Sequence, residues 1–204
     1  AHVISDRLAM AEDPTVKRFA PKLIISLDRA IGFLTETLKF GRAEEPPPMR
    51  ERLALKGLAD EVIDAAVLQA SSRVVLFNHV PPALEIDADP DQLNRVLTNL
   101  LRNAIQALEG QVAEDGPLPD GRVIVSAWRE GTVVVVEVRD NGPGIPERVR
   151  PRLFEAFQSA AKPGGVGLGL AIAAELIRAH GGEIRLNGTG PQGTVFHVVV
   201  PDAV

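Results

Sequence analysis

Cysteine is absent from the 204 residues, which leaves neither a disulfide framework nor a thiolate metal site. There is no tyrosine and only one tryptophan, and no basic-aromatic interleaving, which argues against a stacking platform for nucleobases. Positive charge is in short supply as well. The net charge of −5 argues against a general nucleic-acid binder. No apolar run approaches the roughly 18–20 residues that span a bilayer, and the first residues lack a basic-then-apolar signal pattern. The expectation is a soluble, cytoplasmic chain with no membrane contact of its own, compatible with a membrane-anchored parent.

What is present is the composition of a globular protein, 45% hydrophobic and 24% charged. The pattern divides near residues 41–48. Asp13-Pro14 reads as a helix start, and apolar residues then recur at helical spacing from Val16 to Leu38 in two adjoining stripes. Residues 1–43 are therefore expected to form a helical hairpin. Its core is too small to stand alone, so it is expected to dimerise into a four-helix bundle. Residues 44–49, with Pro46-Pro47-Pro48, read as a stiffened linker that lets two domains approach and separate.

Residues 50–204 mix helical and strand patterns. Helices are expected over 58–69, 90–109 and 167–180. Strands are expected over 73–78, 84–86, 123–128, 133–138, 183–188 and 194–200. The fold class that follows is α+β: the hairpin, then an α/β sandwich with a mixed sheet and helices on one face.

Three features carry chemistry. Asp89-Pro90-Asp91-Gln92 reads as a capping box opening a long amphipathic helix. Off its apolar stripe, Asn99, Asn103 and Gln106 share one face, offering amide oxygens to a hard cation and N–H donors to phosphate. Next comes Asp140-Asn141-Gly142-Pro143-Gly144-Ile145 after a strand: an acid that can accept from an exocyclic amine, with glycines that permit close backbone approach. Last, Gly164-Gly165-Val166-Gly167-Leu168-Gly169-Leu170 runs into an apolar helix, a phosphate-binding arrangement. It matches neither the dinucleotide fingerprint nor the Walker pattern.

Together these resemble the ATP-binding boxes of the superfamily that joins sensor histidine kinases, gyrase, the Hsp90 chaperone and MutL. Asn99 to Ala104 resembles the asparagine box, and Asp140 to Gly144 the first glycine box. Leu153 to Phe157 resembles the phenylalanine box, Lys162 to Leu170 the second glycine box, and Gly193-Thr194-Val195-Phe196 the terminal Gly-Thr element. The form Asn103-Ala104-Ile105-Gln106-Ala107 resembles the nitrogen-regulation sensors. The resemblance implies Mg²⁺ and ATP as cofactors, a receiver domain of a response regulator as partner, and a homodimer through residues 1–43. It implies Mg²⁺ on Asn103, with Asn99 and Gln106 beside the phosphates and the adenine amine on Asp140, supported by Thr194. Gly142, Gly144 and Ile145 would pass near the base. Gly165, Gly167, Leu168 and Gly169 would wrap the phosphates and hinge a lid over residues 146–166, with Lys162 reaching the γ-phosphate.

Asn99 separates kinase from ATPase. The ATPase branches resemble one another in a glutamate at that position, acting as general base on water, and an amide cannot take that proton at neutral pH. The implied activity is a protein-histidine kinase. An inactive phosphotransfer or scaffold protein is the alternative, against which the intact Asn103, Asp140 and lid glycines argue. None of the four histidines fits the family's acceptor pattern. His2 lies too near the hairpin turn, and His79, His180 and His197 read as structural. The acceptor is expected upstream of this sequence or lost from the parent.

Overall fold

Valine-rich alternation in the second half of the chain produces long strands, and the 3–4 spacing of leucines produces the helices between them. The computed structural model describes residues 45–68, 70, 73–110, 120–156 and 167–202. The hairpin expected over residues 1–43 lies outside the described residues, as do Phe157, Lys162 and Gly165.

In chain order the elements are β1 (Glu51–Ala54), α1 (Leu55–Val67), β2 (Val74–His79), β3 (Glu85–Ala88), α2 (Pro90–Glu109), β4 (Gly121–Glu130), β5 (Val133–Asp140), a 3₁₀ turn (Arg150–Arg152), α3 (Gly169–Ala179), β6 (Glu183–Gly190) and β7 (Gly193–Pro201). Five strands form one sheet in the order β2-β4-β5-β7-β6. Only the β2–β4 pair is parallel, so the sheet is mixed as expected. The three α-helices pack against it. Burial alternates along β4 and β7, with Val123, Val125, Ala127, Phe196, Val198 and Val200 turned to the core. From α2, Leu93, Val96, Leu97, Leu100 and Leu101 meet them, each 1% exposed or less. Replacing one of these leucines with alanine would cost about 2–5 kcal/mol.

Two elements depart from the sequence reading. β1 carries no strand alternation of its own, and forms by antiparallel pairing with β3, Leu53 opposite Ile86. His79, one residue beyond the strand expected over 73–78, is the last residue of β2.

The start of α2 also corrects an expectation. Asp89 caps as foreseen, its Oδ1 accepting from the Gln92 amide at 3.0 Å. Gln92, however, does not close a capping box. Its side-chain amide donates to the Pro46 carbonyl at 3.0 Å. The Asp89 N–H goes instead to His180 Nε2 at 3.0 Å, while His180 Nδ1 donates to the Leu176 carbonyl at 2.8 Å. The histidine is 2% exposed and joins the end of α3 to the start of α2. Tertiary packing thus supplies the partner that a local box would have supplied.

Residues 45–50 lie along the start of α2. Glu45 and Arg95 form a two-pronged ion pair at 2.7 and 2.9 Å, and the guanidinium hydrogen bond holds the Glu45 carboxyl below its ordinary range. The Met49 N–H donates to Asp89 Oδ2 at 2.8 Å. Arg50 reaches the carbonyls of His180 (2.9 Å), Asp87 (2.8 Å) and Pro201, and its guanidinium lies 3.6 Å from the Asp87 carboxylate. One side chain therefore satisfies carbonyls from three separate parts of the chain. Removing it strands half-buried acceptors. Arg50→Ala is expected to lower the unfolding free energy by about 2–3 kcal/mol, read as a lower urea midpoint. An unchanged midpoint would show that water replaces the guanidinium without loss.

Candidate functional site

Asp140 is the last residue of β5 and sits opposite Thr194 of β7. The residue is 7% exposed. Oδ1 accepts from the Gly142 N–H at 2.7 Å and from the Thr194 N–H at 3.2 Å. Neither bond uses Oδ2. Burial pushes the Asp140 carboxyl above its ordinary range, and the two N–H donors pull it back only in part. A carboxylate held at a cost in a folded domain, with one oxygen fully engaged and the other not, is a candidate ligand contact.

The loop after β5 is pinned from two sides. Asn141 accepts from the Arg122 N–H at 2.6 Å and donates to the Asp120 carbonyl at 3.0 Å, fixing the loop to the start of β4. The Ile145 N–H donates to Thr189 Oγ1 of β6 at 2.7 Å. Between them Gly144 has φ of +79°, and a Cβ there would sit 2.3 Å from the Gly190 carbonyl oxygen. Only glycine fits that approach. Gly193 is the second such place, because at φ +126° its Cβ would fall 1.8 Å from the Asp140 carbonyl oxygen.

The helical side of the site is a single face of α2. A Cβ on Gly142 would lie 3.6 Å from the Ala107 methyl, and one on Gly169 would lie 3.3 Å from Asn99 Oδ1. Asn99, Asn103 and Ala107 follow one another at every fourth residue, so Gly142 and Gly169 touch points two turns apart, about 12 Å along the helix. Midway stands Asn103. Its Nδ2 is buried and has no hydrogen-bond partner, an arrangement that buried amides rarely tolerate unless a ligand completes them.

At the far end, α3 begins at Gly169 without a side-chain cap on its first-turn N–H groups. Gly167 and the buried Leu168 lead into it. These orphan donors and the positive end of the helix dipole lie beside the Asn99 amide, an environment suited to anions.

The predicted residues thus gather in two groups on one helix face: Asp140, Gly142, Gly144, Ile145 and Thr194 at one end, Asn99, Gly167, Leu168 and Gly169 at the other, with Asn103 between. Gln106 is exposed and borders a groove shared with Val62 and Ala66 of α1. Phe154 stacks edge-on against Phe196, ring centres 6.3 Å apart, and Leu153 is buried. Lys162 and Gly165 lie outside the described residues. Sequence reasoning missed Thr189 and Asn141. Thr189 was within reach, because a two-residue turn at Pro191-Gln192 sets it directly across from Thr194. A groove of about 490 Å³ lined by Val135, Arg185, His197 and Val199 contains none of the motif residues.

Comparison with known proteins agrees with this geometry. The family described as "Histidine kinase-, DNA gyrase B-, and HSP90-like ATPase" matches residues 88–204, and members of that family bind Mg²⁺-ATP. The sensory histidine kinase/phosphatase NtrB of Klebsiella oxytoca is 31% identical over 192 residues, which is 93% of this chain but only 53% of that protein. Among solved structures, full-length ShkA in complex with AMPPNP is 27% identical, covers 97% of this chain and 41% of its own, and superposes with a TM-score of 0.74. The histidine kinase ThkA in complex with the response regulator TrrA has the same fold at 24% identity and a TM-score of 0.73, covering 99% of this chain and 56% of its own. Matched over residues 88–204 by the family model and over nearly its whole length by the sensory histidine kinase/phosphatase NtrB, the chain belongs to the histidine kinase-, DNA gyrase B- and HSP90-like ATPases, on the sensor histidine kinase branch.

Proposed function

We propose that residues 50–204 bind Mg²⁺-ATP and transfer its γ-phosphoryl group to a histidine on a helical hairpin, for relay to the aspartate of a receiver domain. Residues 1–43 are proposed as part of that hairpin, dimerised into a four-helix bundle, and residues 44–49 as the connection. The observation that carries the reading is the α2 face. It has a buried acid and a glycine loop at one end, an uncapped helix N-terminus at the other, and an unpartnered buried amide between.

Asp140 Oδ2 would accept from the adenine amine, with Gly142, Gly144 and Ile145 against the ring. The first-turn N–H groups of α3, together with Gly165, Gly167, Leu168 and Gly169, would hold phosphate oxygens, with Lys162 and Gln106 as further donors. Among the described residues no cluster of three His, Cys, Asp or Glu side chains could hold a metal alone. Mg²⁺ is therefore assigned to the phosphates and the Asn103 amide, a division of ligands that this ion favours. Bound there, the ion supplies neutralisation of charge on the transferring group. Asn103 would offer its side-chain Oδ1 to the ion, and its buried Nδ2–H, which has no acceptor in the protein, would be left to donate to a phosphate oxygen. Asn99 cannot deprotonate a water, so hydrolysis is disfavoured and the phosphoryl group is kept for another nucleophile. The remaining contribution is positioning.

No histidine of this sequence is assigned as the acceptor, which is proposed either to lie upstream of it or to be lost from the parent. His180 is buried with both ring nitrogens engaged, and His197 Nε2 is paired with Glu137 at 2.9 Å. The receiver partner is supported by ThkA, a kinase of the same fold whose structure holds its response regulator. A cytoplasmic site of action is consistent with the described helices, none of which is long and apolar enough to cross a membrane.

Two outcomes are expected for Asp140→Asn. ATP affinity should fall by about 1–3 kcal/mol, because the adenine amine loses a charged acceptor. Stability should not fall with it. The folded-state carboxyl is raised by burial, so its contribution to stability is complete below the unfolded carboxyl range and is lost as pH rises through the folded value. The amide escapes that loss. The variant's unfolding temperature should match or exceed the parent's, by a margin that widens as pH rises above the ordinary carboxyl range, about pH 4, and levels off above the raised folded value. Loss of stability at neutral pH together with loss of binding would make Asp140 a structural residue.

For Asn103→Ala, calorimetry should record a larger loss of ATP affinity in Mg²⁺ than in EDTA. Equal losses would remove the metal assignment. The 204-residue chain should also bind ATP without labelling itself from γ-labelled nucleotide, whereas a longer chain that supplies the acceptor should label. Acid-labile label on this chain, abolished by His2→Gln, would make His2 the acceptor.

A further inference from the structure

We infer that Thr189 is a specificity-determining positioning residue, whose hydroxyl orients the Thr194 hydroxyl so that the site selects a 6-aminopurine over a 6-oxopurine. This rests on the reading that Asp140 and Thr194 meet the edge of the nucleobase.

The inference starts from the direction of one short chain of hydrogen bonds. The Ile145 backbone N–H donates to Thr189 Oγ1 at 2.7 Å, and a backbone amide can only donate. Thr189 Oγ1 is thereby an acceptor, with its own proton still to place. The neighbouring hydroxyl is Thr194 Oγ1, 3.4 Å away across the β6–β7 ladder, on a side chain that is 4% exposed. Of two facing hydroxyls one donates and one accepts. A hydroxyl already accepting from an amide is polarised into the better donor, so the proton runs from Thr189 to Thr194. Thr194 Oγ1 then accepts, and its own proton is turned away from Thr189.

Beside it, Asp140 Oδ1 is taken by the N–H groups of Gly142 and Thr194, and Oδ2 is the oxygen they leave. The wall formed by the ends of β5 and β7 thus presents an acceptor, Asp140 Oδ2, next to a donor, the Thr194 O–H. Adenine offers the complement, an amine donor at C6 adjoining an acceptor at N1. Guanine and hypoxanthine carry a carbonyl at C6 and a proton at N1, the reverse at both positions. A 6-oxopurine would set its carbonyl against a carboxylate and its N1 proton against a hydroxyl already turned to donate.

Thr189 also braces the Gly142–Ile145 loop, so a structural role must be separated from the one inferred. The ratio of ATP to ITP affinity does this. Inosine differs from adenosine at C6 and N1 alone, and loosening of the loop weakens both nucleotides equally. Isothermal calorimetry on the full chain in Mg²⁺ is expected to give a clear preference for ATP. Thr189→Val, which keeps the side-chain shape but neither donates nor accepts, should lower the ATP/ITP ratio about tenfold, the scale of one lost hydrogen bond. Thr189→Ser should restore the ratio to within about threefold of the parent.

A Thr189→Val protein that binds both nucleotides more weakly but keeps the parental ratio would overturn the inference and leave Thr189 a loop brace. Should that variant not fold, Thr189→Cys, with its weak donor and acceptor, is scored by the same ratio. No ATP preference in the parent would overturn the reading of Asp140 and Thr194 on which the inference rests. A preference abolished by Asp140→Asn but untouched by Thr189→Val would overturn the inference alone.

Discussion

The antiparallel register of β5 with β7 is the constraint from which the site follows. It sets Asp140 opposite Thr194, and the Thr194 amide then helps to hold the carboxylate inside the domain. A slip of one residue in either strand would turn that strand's side chain to the other face of the sheet and part the pair. Gly193 enforces the register sterically, because any larger residue there would collide with the Asp140 carbonyl. The buried acid is tolerated because two backbone donors reach it, yet they do not fully offset desolvation. The fold thus keeps a group that costs stability where a ligand can use it.

The second constraint is α2, which serves two masters. One stripe of leucines fills the core against β4 and β5, and the face beside it carries Asn99, Asn103 and Ala107. Since one rigid helix bears all three, the separation between the glycine loop and the start of α3 is set by helical rise rather than by loop conformation. Precision of this kind is what a reaction that depends on positioning requires. The start of α2 is anchored in turn by Asp89, His180 and the Glu45–Arg50 strap, so the ruler is fixed at one end by residues distant in sequence.

Much of this was legible beforehand. The amide spacing on α2, the acid and glycines after β5, and the glycine run before α3 are local patterns, and each can be set on its element from the sequence. The α2 limits, residues 90–109, agree with the pattern because Asp89 and Pro90 mark the start and Gly110 the stop. β1 was not legible, since four residues paired with β3 need no alternation of their own. Gln92 misled for a related reason. The capping-box pattern is a statement about neighbours in sequence, and here the Asp89 N–H found a better acceptor in a buried imidazole.

The sequence by itself determined the chemistry on offer: which residue types are suited to a nucleotide, which glycines permit close approach, and that an amide stands where a general base would be needed. These are properties of spacing within one element or one turn, where backbone geometry leaves little choice. Only the tertiary structure decided how the pieces meet. It brought Gly169 to Asn99 and Gly142 to Ala107, set Thr189 beneath Ile145, and turned Gln106 toward a groove shared with α1. Those contacts join segments tens of residues apart. They depend on sheet order and helix packing, which no local pattern encodes.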